Sequence, residues 1–276
     1  MAASAGQLSS RPLGSKGEVR ITPLELSKLT PGQVLLPGSI PRYNRGMLAF
    51  ALQLTNLNVD IFILDHLLSF PFHLFPAPGG NLFFRMVVNN FLSASVLATT
   101  RVAGDQDPDF FTIPKFKNWL LQVVRPEYAT EFRRHLRQLR FATTVRDLLR
   151  KAMRIRHRHI AHIFEEESPE PKQADILTFG ELKTIRDSLN LLFAGLAFGT
   201  EHLFLPVQYL PNVQHSQGVD ARPDIEQLLD LIADHSHLVR LPETHPEQWV
   251  YRQATLSERD LRLLNAYRAK FGLHAV

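Results

Sequence analysis

The stretch VRDLLRKAMRIRHRHIAHIFEEE, residues 145–167, decides how the chain is read. At 100° per residue, Val145, Leu148, Leu149, Ala152, Met153, Ile155, Ile160, Ile163 and Phe164 fall within one broad arc, the mark of an amphipathic helix. Arg150, Lys151, Arg154, His157 and Arg158 fall opposite, where a solvated charged face is expected. Arg156 breaks this pattern. It lies inside the apolar arc between Ala152 and Ile160, and an unpaired buried guanidinium is costly, so it needs partners or a function. His159 shares the arc, and His162 sits at its edge. In a straight helix Arg156 and His162 would point about 120° apart, so joint action requires a break between them or a second chain.

The same 3.6-residue period governs the sequence on either side, and alternating β-branched runs are scarce; the expected fold is all-α. Upstream, Pro23–Lys28 reads as a short helix capped by Thr22, Leu48–Phe75 as one or two apolar helices stopped by PAPGG, and Asn81–Arg101 as a helix ended by AGDQDPD. Thr112 is placed to cap a helix running to about Val124, with Pro114 in its first turn. Glu127–His162 follows as one long or once-broken helix. Downstream, TFGE at 178–181 has the form of a capping box and opens a helix to about Phe204. Two more helices are expected near Pro223–Leu238 and Ser257–Phe271, the last stopped by Gly272. The organisation expected is a disordered tail at 1–17, a helical domain at 18–205, a connection at 206–222 and a C-terminal helical appendage at 223–276.

Composition narrows the chemistry. The 276 residues include no cysteine, which excludes a disulfide framework, a thiolate zinc site and a thiol nucleophile, and makes the cytoplasm the expected compartment. The N-terminal residues lack the apolar core of a secretory signal. The greasiest run, IFILDHLLSFPFHLF at 61–75, is interrupted by Asp65, His66, Pro71 and His73, whereas a membrane span needs about 20 largely apolar residues; a buried helix and no membrane association are expected. The net charge of +4 conceals an asymmetry: Arg133–Arg158 carries ten basic side chains against one acid, Asp147. The positive charge is concentrated in this one segment.

Three chemistries compete for the Arg/His cluster. Histidines at positions 157, 159 and 162 could chelate a metal, but no carboxylate stands among them and the surrounding arginines repel a dication. A structural role would satisfy Arg156 and His159 within the core. Phosphate chemistry would use the forked, always-cationic arginine on a phosphoryl group and a histidine to move protons near neutral pH.

These residues resemble the signature of the HEPN superfamily, in which an Arg is followed by a polar residue and, a few positions on, by a His. Arg156, His157 and His162 stand in that order. RHRHIAHIF is similar to the form found in the abortive-infection-type branch, with Ile160-Ala161-His162 as the matching end, and Arg101 and Asp105 match an upstream turn of that branch. The likeness covers about residues 45–205; nothing in Val207–Val276 takes part. His157 occupies a position more often held by Asn or Asp.

The resemblance implies a HEPN-like helical bundle and a metal-independent endoribonuclease of toxin or phage-defence type, built at a homodimer two-fold without a cofactor. It implies Arg156 and His162 as catalytic residues, with His157 and His159 auxiliary. Arg150, Lys151, Arg154 and Arg158 would hold the RNA, and an antitoxin or regulatory protein would be a natural further partner. Some members of the superfamily have lost catalysis, and the alternative is a helical dimerisation or partner-binding module using the same basic face.

Overall fold

The computed structural model describes residues 26, 28–75, 81–104, 112–157, 177–199 and 223–276. Among them there are helices and no strands, as the periodicity requires; one isolated antiparallel bridge joins Leu35 to Val124. The expected tail at 1–17, most of the helix at Pro23–Lys28 and the connection at 206–222 lie outside the described residues.

A short turn, α1 (Pro31–Val34), and a 3-10 turn at Pro37–Ser39 lead into α2 (Ile40–Ser69). The sequence suggested a start at Leu48, but Pro41 in the first turn fits a helix beginning at Ile40, because a proline there forfeits no helical hydrogen bond. Helix α2 is one continuous element about 45 Å long at 1.5 Å per residue. Then come α3 (Leu82–Thr99), a wider π-type turn (Thr100–Gly104), α4 (Ile113–Val123), α5 (Pro126–Gln138), α6 (Phe141–Ile155) and α7 (Phe179–Leu196). The expected Glu127–His162 helix is broken at Arg140, whose φ of 50° is left-handed.

The main core is built on α2. Tyr43, Phe50, Leu54, Leu57 and Ile61 pack against Phe116 and Leu120 of α4, Phe132 of α5, and Ile185, Leu189 and Leu192 of α7. Helix α7 stops at Leu196 rather than near Phe204, and the cause is buried. The Tyr43 hydroxyl donates to the Leu196 carbonyl (3.2 Å) and accepts from the Phe198 N–H (2.9 Å), holding the chain extended at Ala197. Burial pushes this phenol up from its ordinary pKa, so it remains a donor. Close approach of α5 and α7 depends on Gly195, where a Cβ would stand 2.5 Å from Leu139 Cδ1 and 3.0 Å from His135 Nε2.

Where two C-terminal helices were expected there are four: α8 (Asp224–Asp234), α9 (His237–Thr244), α10 (Pro246–Gln253) and α11 (Glu258–Lys270). Ser236 and His245 interrupt the chain with non-helical backbone, and neither position carries the glycine that would have advertised a stop; Gly272, φ 74°, does end α11 as expected. A second core, with Leu229, Val239, Trp249 and Leu264, forms against Leu67 and Phe70 at the far end of α2 and Phe84 of α3.

Two segments, Pro37–Ser69 and Leu82–Ala103, are long and apolar enough to cross a bilayer by length and composition. The interior takes up 44% of the apolar window in the first but only 22% in the second, so α3 keeps an open apolar face at Leu82, Phe83 and Met86.

The second core is organised by a cation. Arg268 is fully buried; its guanidinium forks onto Glu243, reaches the Val239 carbonyl and donates from Nε to the His274 carbonyl (2.8 Å). Arg268→Met removes the guanidinium donors to the Val239 and His274 carbonyls and to Glu243 and should lower stability by about 2 kcal/mol. The side-chain bond from Arg268 holds the Glu243 carboxyl below its ordinary pKa. A depressed carboxylate stabilises above its unfolded pKa and loses that contribution as pH falls through the folded one. Urea denaturation should therefore show the gap between wild type and Arg268→Met narrowing in acid; an equal gap at every pH would remove the ion pair from the account.

Candidate nucleic-acid interface on helix α6

Helix α6 is held by its apolar arc. Val145 and Ala152 are fully buried and Leu148 and Leu149 half-buried against the main core, which is the face drawn by the periodicity. Helices α3 and α7 and the π-type turn at Thr100–Gly104 all pack against it. Its start has no proline or glycine. Instead the hydroxyls of Thr143 (2.8 Å) and Thr144 (3.0 Å) donate back to the Arg140 carbonyl at the left-handed bend.

At the other end, regular α-geometry stops at Ile155, and Arg156 and His157 form a wider π-type turn in which the Arg156 N–H points between the Ala152 and Met153 carbonyls. Of the straight helix expected through His162, the described residues carry regular α-geometry only as far as Ile155. Arg156 is half-buried and His157 exposed at this turn. Arg158, His159 and His162 lie outside the described residues, as does Asp105; Arg101 is exposed in its own π-type turn.

The solvent face of α6 is basic. Thr143, Arg146, Arg150, Arg154 and His157 recur at three- and four-residue spacing and so form one stripe, and all five are exposed. Asp147 lies beside the stripe, 3.2 Å from Arg150 and 3.5 Å from Arg146; with the carboxylate 79% exposed, such pairs are weak and give way to a competing phosphate.

Lys151 departs from the expectation of a solvated RNA-binding side chain. It is only 15% exposed and its Nζ lies 2.9 Å and 2.8 Å from the two carboxylate oxygens of Glu181. Glu181 is also the third residue of the capping box at the start of α7: Thr178 Oγ1 accepts from the Glu181 N–H (3.2 Å) and Glu181 accepts from the Thr178 N–H (2.7 Å). One carboxylate thus caps α7 and grips α6, making Lys151 a positioning residue. The box was legible from TFGE; its link to Lys151, thirty residues away, was not. Among the described residues no group of three or more His, Asp or Glu could hold a metal ion.

Comparison with protein-family models, with curated proteins and with solved structures finds no match to the chain.

The hydrogen bonds from Lys151, then that from the Thr178 N–H, hold the Glu181 carboxyl below its ordinary pKa. Glu181→Gln keeps a capping side chain but loses the charge pair. Near neutrality the variant should be less stable by about 1 kcal/mol. Since a depressed carboxylate loses its contribution as pH falls, wild type and variant should converge in acid. Thermal melting across pH checks this, and a difference that does not change with pH would disprove the coupling.

Proposed function

We propose that the chain is a metal-independent endoribonuclease acting as a homodimer, with RNA laid along the basic stripe of α6 and cleaved beyond its end. The observation that carries this reading is the unbroken exposed run of Arg146, Arg150, Arg154 and His157 leading to Arg156 at a change of helical geometry. A row of guanidinium groups on one helix face suits a phosphodiester backbone and gives affinity that falls steeply with salt. Lys151, spent on Glu181, has no part in RNA contact here; Arg158 would continue the stripe. The resemblance to HEPN ribonucleases supplies His162 as the proton-transfer group, with His157 and His159 supporting it.

The chemistry needs no metal because RNA brings its own nucleophile. One imidazole takes the 2′-OH proton, O2′ bonds to the adjacent phosphorus, and the P–O5′ bond breaks while a protonated imidazole donates to the departing O5′. The products are a 2′,3′-cyclic phosphate and a 5′-OH. Two histidines in opposite protonation states are required, and a His162 from each of two chains would provide them. Arg156 would stabilise the doubly charged phosphorane through its two-pronged fork. The open apolar face of α3, a helix packed on α6, supports a second chain docking nearby.

Incubation with RNA in EDTA should leave cleavage intact, and His162→Ala should abolish it. Arg156→Lys keeps the charge but loses the planar fork, so cleavage should fall about 10²-fold or more with little change in melting temperature. A large drop in melting temperature, with activity following the folded fraction, would make Arg156 structural. Rescue by zinc or manganese after chelation would move the histidines to a metal site.

A further inference from the structure

At the opposite end of α6 from Arg156, about 22 Å away by helical rise, a groove of about 910 Å³ opens where α4, α5, α6 and α7 meet. Four cations line it: Lys117, Arg133, Arg137 and Arg140. Among the described residues no carboxylate lines it, and none of the four is ion-paired with one. Arg133 and Arg137 are one turn apart on α5, and the left-handed bend brings Arg140 to the same opening. Between them the floor is apolar, made of Leu121, Leu136, Phe141 and the fully buried Leu192.

Like charges gathered around an apolar depression repel one another and hold water over a surface that water does not wet. An occupant relieving both conditions carries concentrated negative charge at one end and hydrocarbon at the other. A free phosphate leaves the floor wet. A single-stranded nucleic acid brings bases that seek aromatic faces, and the floor offers one ring against three leucines. A flexible alkyl chain packs on leucines without such demands. The volume lies within the range of about 300–1,000 Å³ typical of small-ligand clefts. Four cations also exceed what one carboxylate neutralises, whereas a phosphate monoester carries close to two negative charges at pH 7.

We propose that this groove binds a single-chain amphiphile ending in a phosphate, with the head held by Lys117, Arg133, Arg137 and Arg140 and the chain laid on Leu121, Leu136, Phe141 and Leu192. The site is separate from the reactive end of α6 and does not depend on the ribonuclease reading. It offers the helix bend a small-molecule ligand.

Calorimetric titration of the full chain with hexyl, octyl and decyl phosphate, each kept below its micelle concentration, reads the two halves of the proposal separately. Burial of each methylene is worth about a fourfold gain, so each two-carbon step should tighten binding about fifteenfold until the groove is full. Inorganic phosphate and octanol should bind far more weakly than octyl phosphate. The double variant Arg133→Gln, Arg137→Gln, with its helical circular dichroism intact, should lose about a hundredfold in affinity for decyl phosphate. Ala142→Trp, which adds bulk at the groove wall and removes no charge, should flatten the dependence on chain length. Affinity independent of chain length in the wild type would overturn the proposal, as would full affinity in the folded double variant. So would an oligoribonucleotide that binds in the groove, losing affinity in both variants, where decyl phosphate does not bind.

Discussion

A single buried hydroxyl stands at the head of the structural chain that leads to the basic helix. Tyr43, near the start of α2, holds the last carbonyl of α7 and the N–H two residues beyond it, inside a cluster formed with Phe116 and Phe198. Those backbone groups have no water to turn to, so the end of α7 must sit where Tyr43 is. An amide pair between Asn58 and Asn190 repeats the constraint midway along the two helices. With α7 fixed on α2 at its end and middle, its first turn presents Glu181 to Lys151, and that pair adds a polar tie to the apolar arc that seats α6.

The parts of this arrangement that were legible in the sequence are those written in local chemistry. Thr112 and Thr178 announce helix starts because a hydroxyl just before an apolar-periodic run satisfies an orphan N–H, and both side chains do so here. The apolar arc of α6 was equally plain, since Val145 and Ala152 repeat at helical spacing. Gly272 marked the end of α11 for the usual conformational reason.

What was hidden is written in contacts between distant residues. The bend at Arg140 contains neither proline nor glycine; it is held by two threonine hydroxyls folding back and by the fit of α5 and α6 onto α7. Tyr43 holds the end of α7 from more than 150 residues away, and the only local sign within the described residues is Gly199, left-handed at φ 76° three residues past Leu196. Lys151 looked like part of a solvated face because a helical wheel knows nothing of Glu181, and Arg268 looked like any other arginine of an amphipathic C-terminal helix. The groove at the bend escaped for the same reason: its cations come from α4, α5 and the turn before α6, and only the fold brings them together. Of the candidate site, the stripe was legible and its two ends were not.

Helix α2 has a further consequence through its length. Its first two-thirds line the main core and its last turn, with Phe70, enters the second, so one rod of hydrogen bonds is shared by both clusters. Fraying from the Ser69 end exposes Leu67 and Phe70 and undermines the C-terminal helices packed there; melting from the Ile40 end releases Tyr43 and with it α7. Neither cluster can open far without taking apolar support from the other through the same backbone. The two cores are thereby tied into one cooperative unit, and slow amide exchange should peak in the middle of α2, around Leu54–Ile61, where an opening must break into both directions at once.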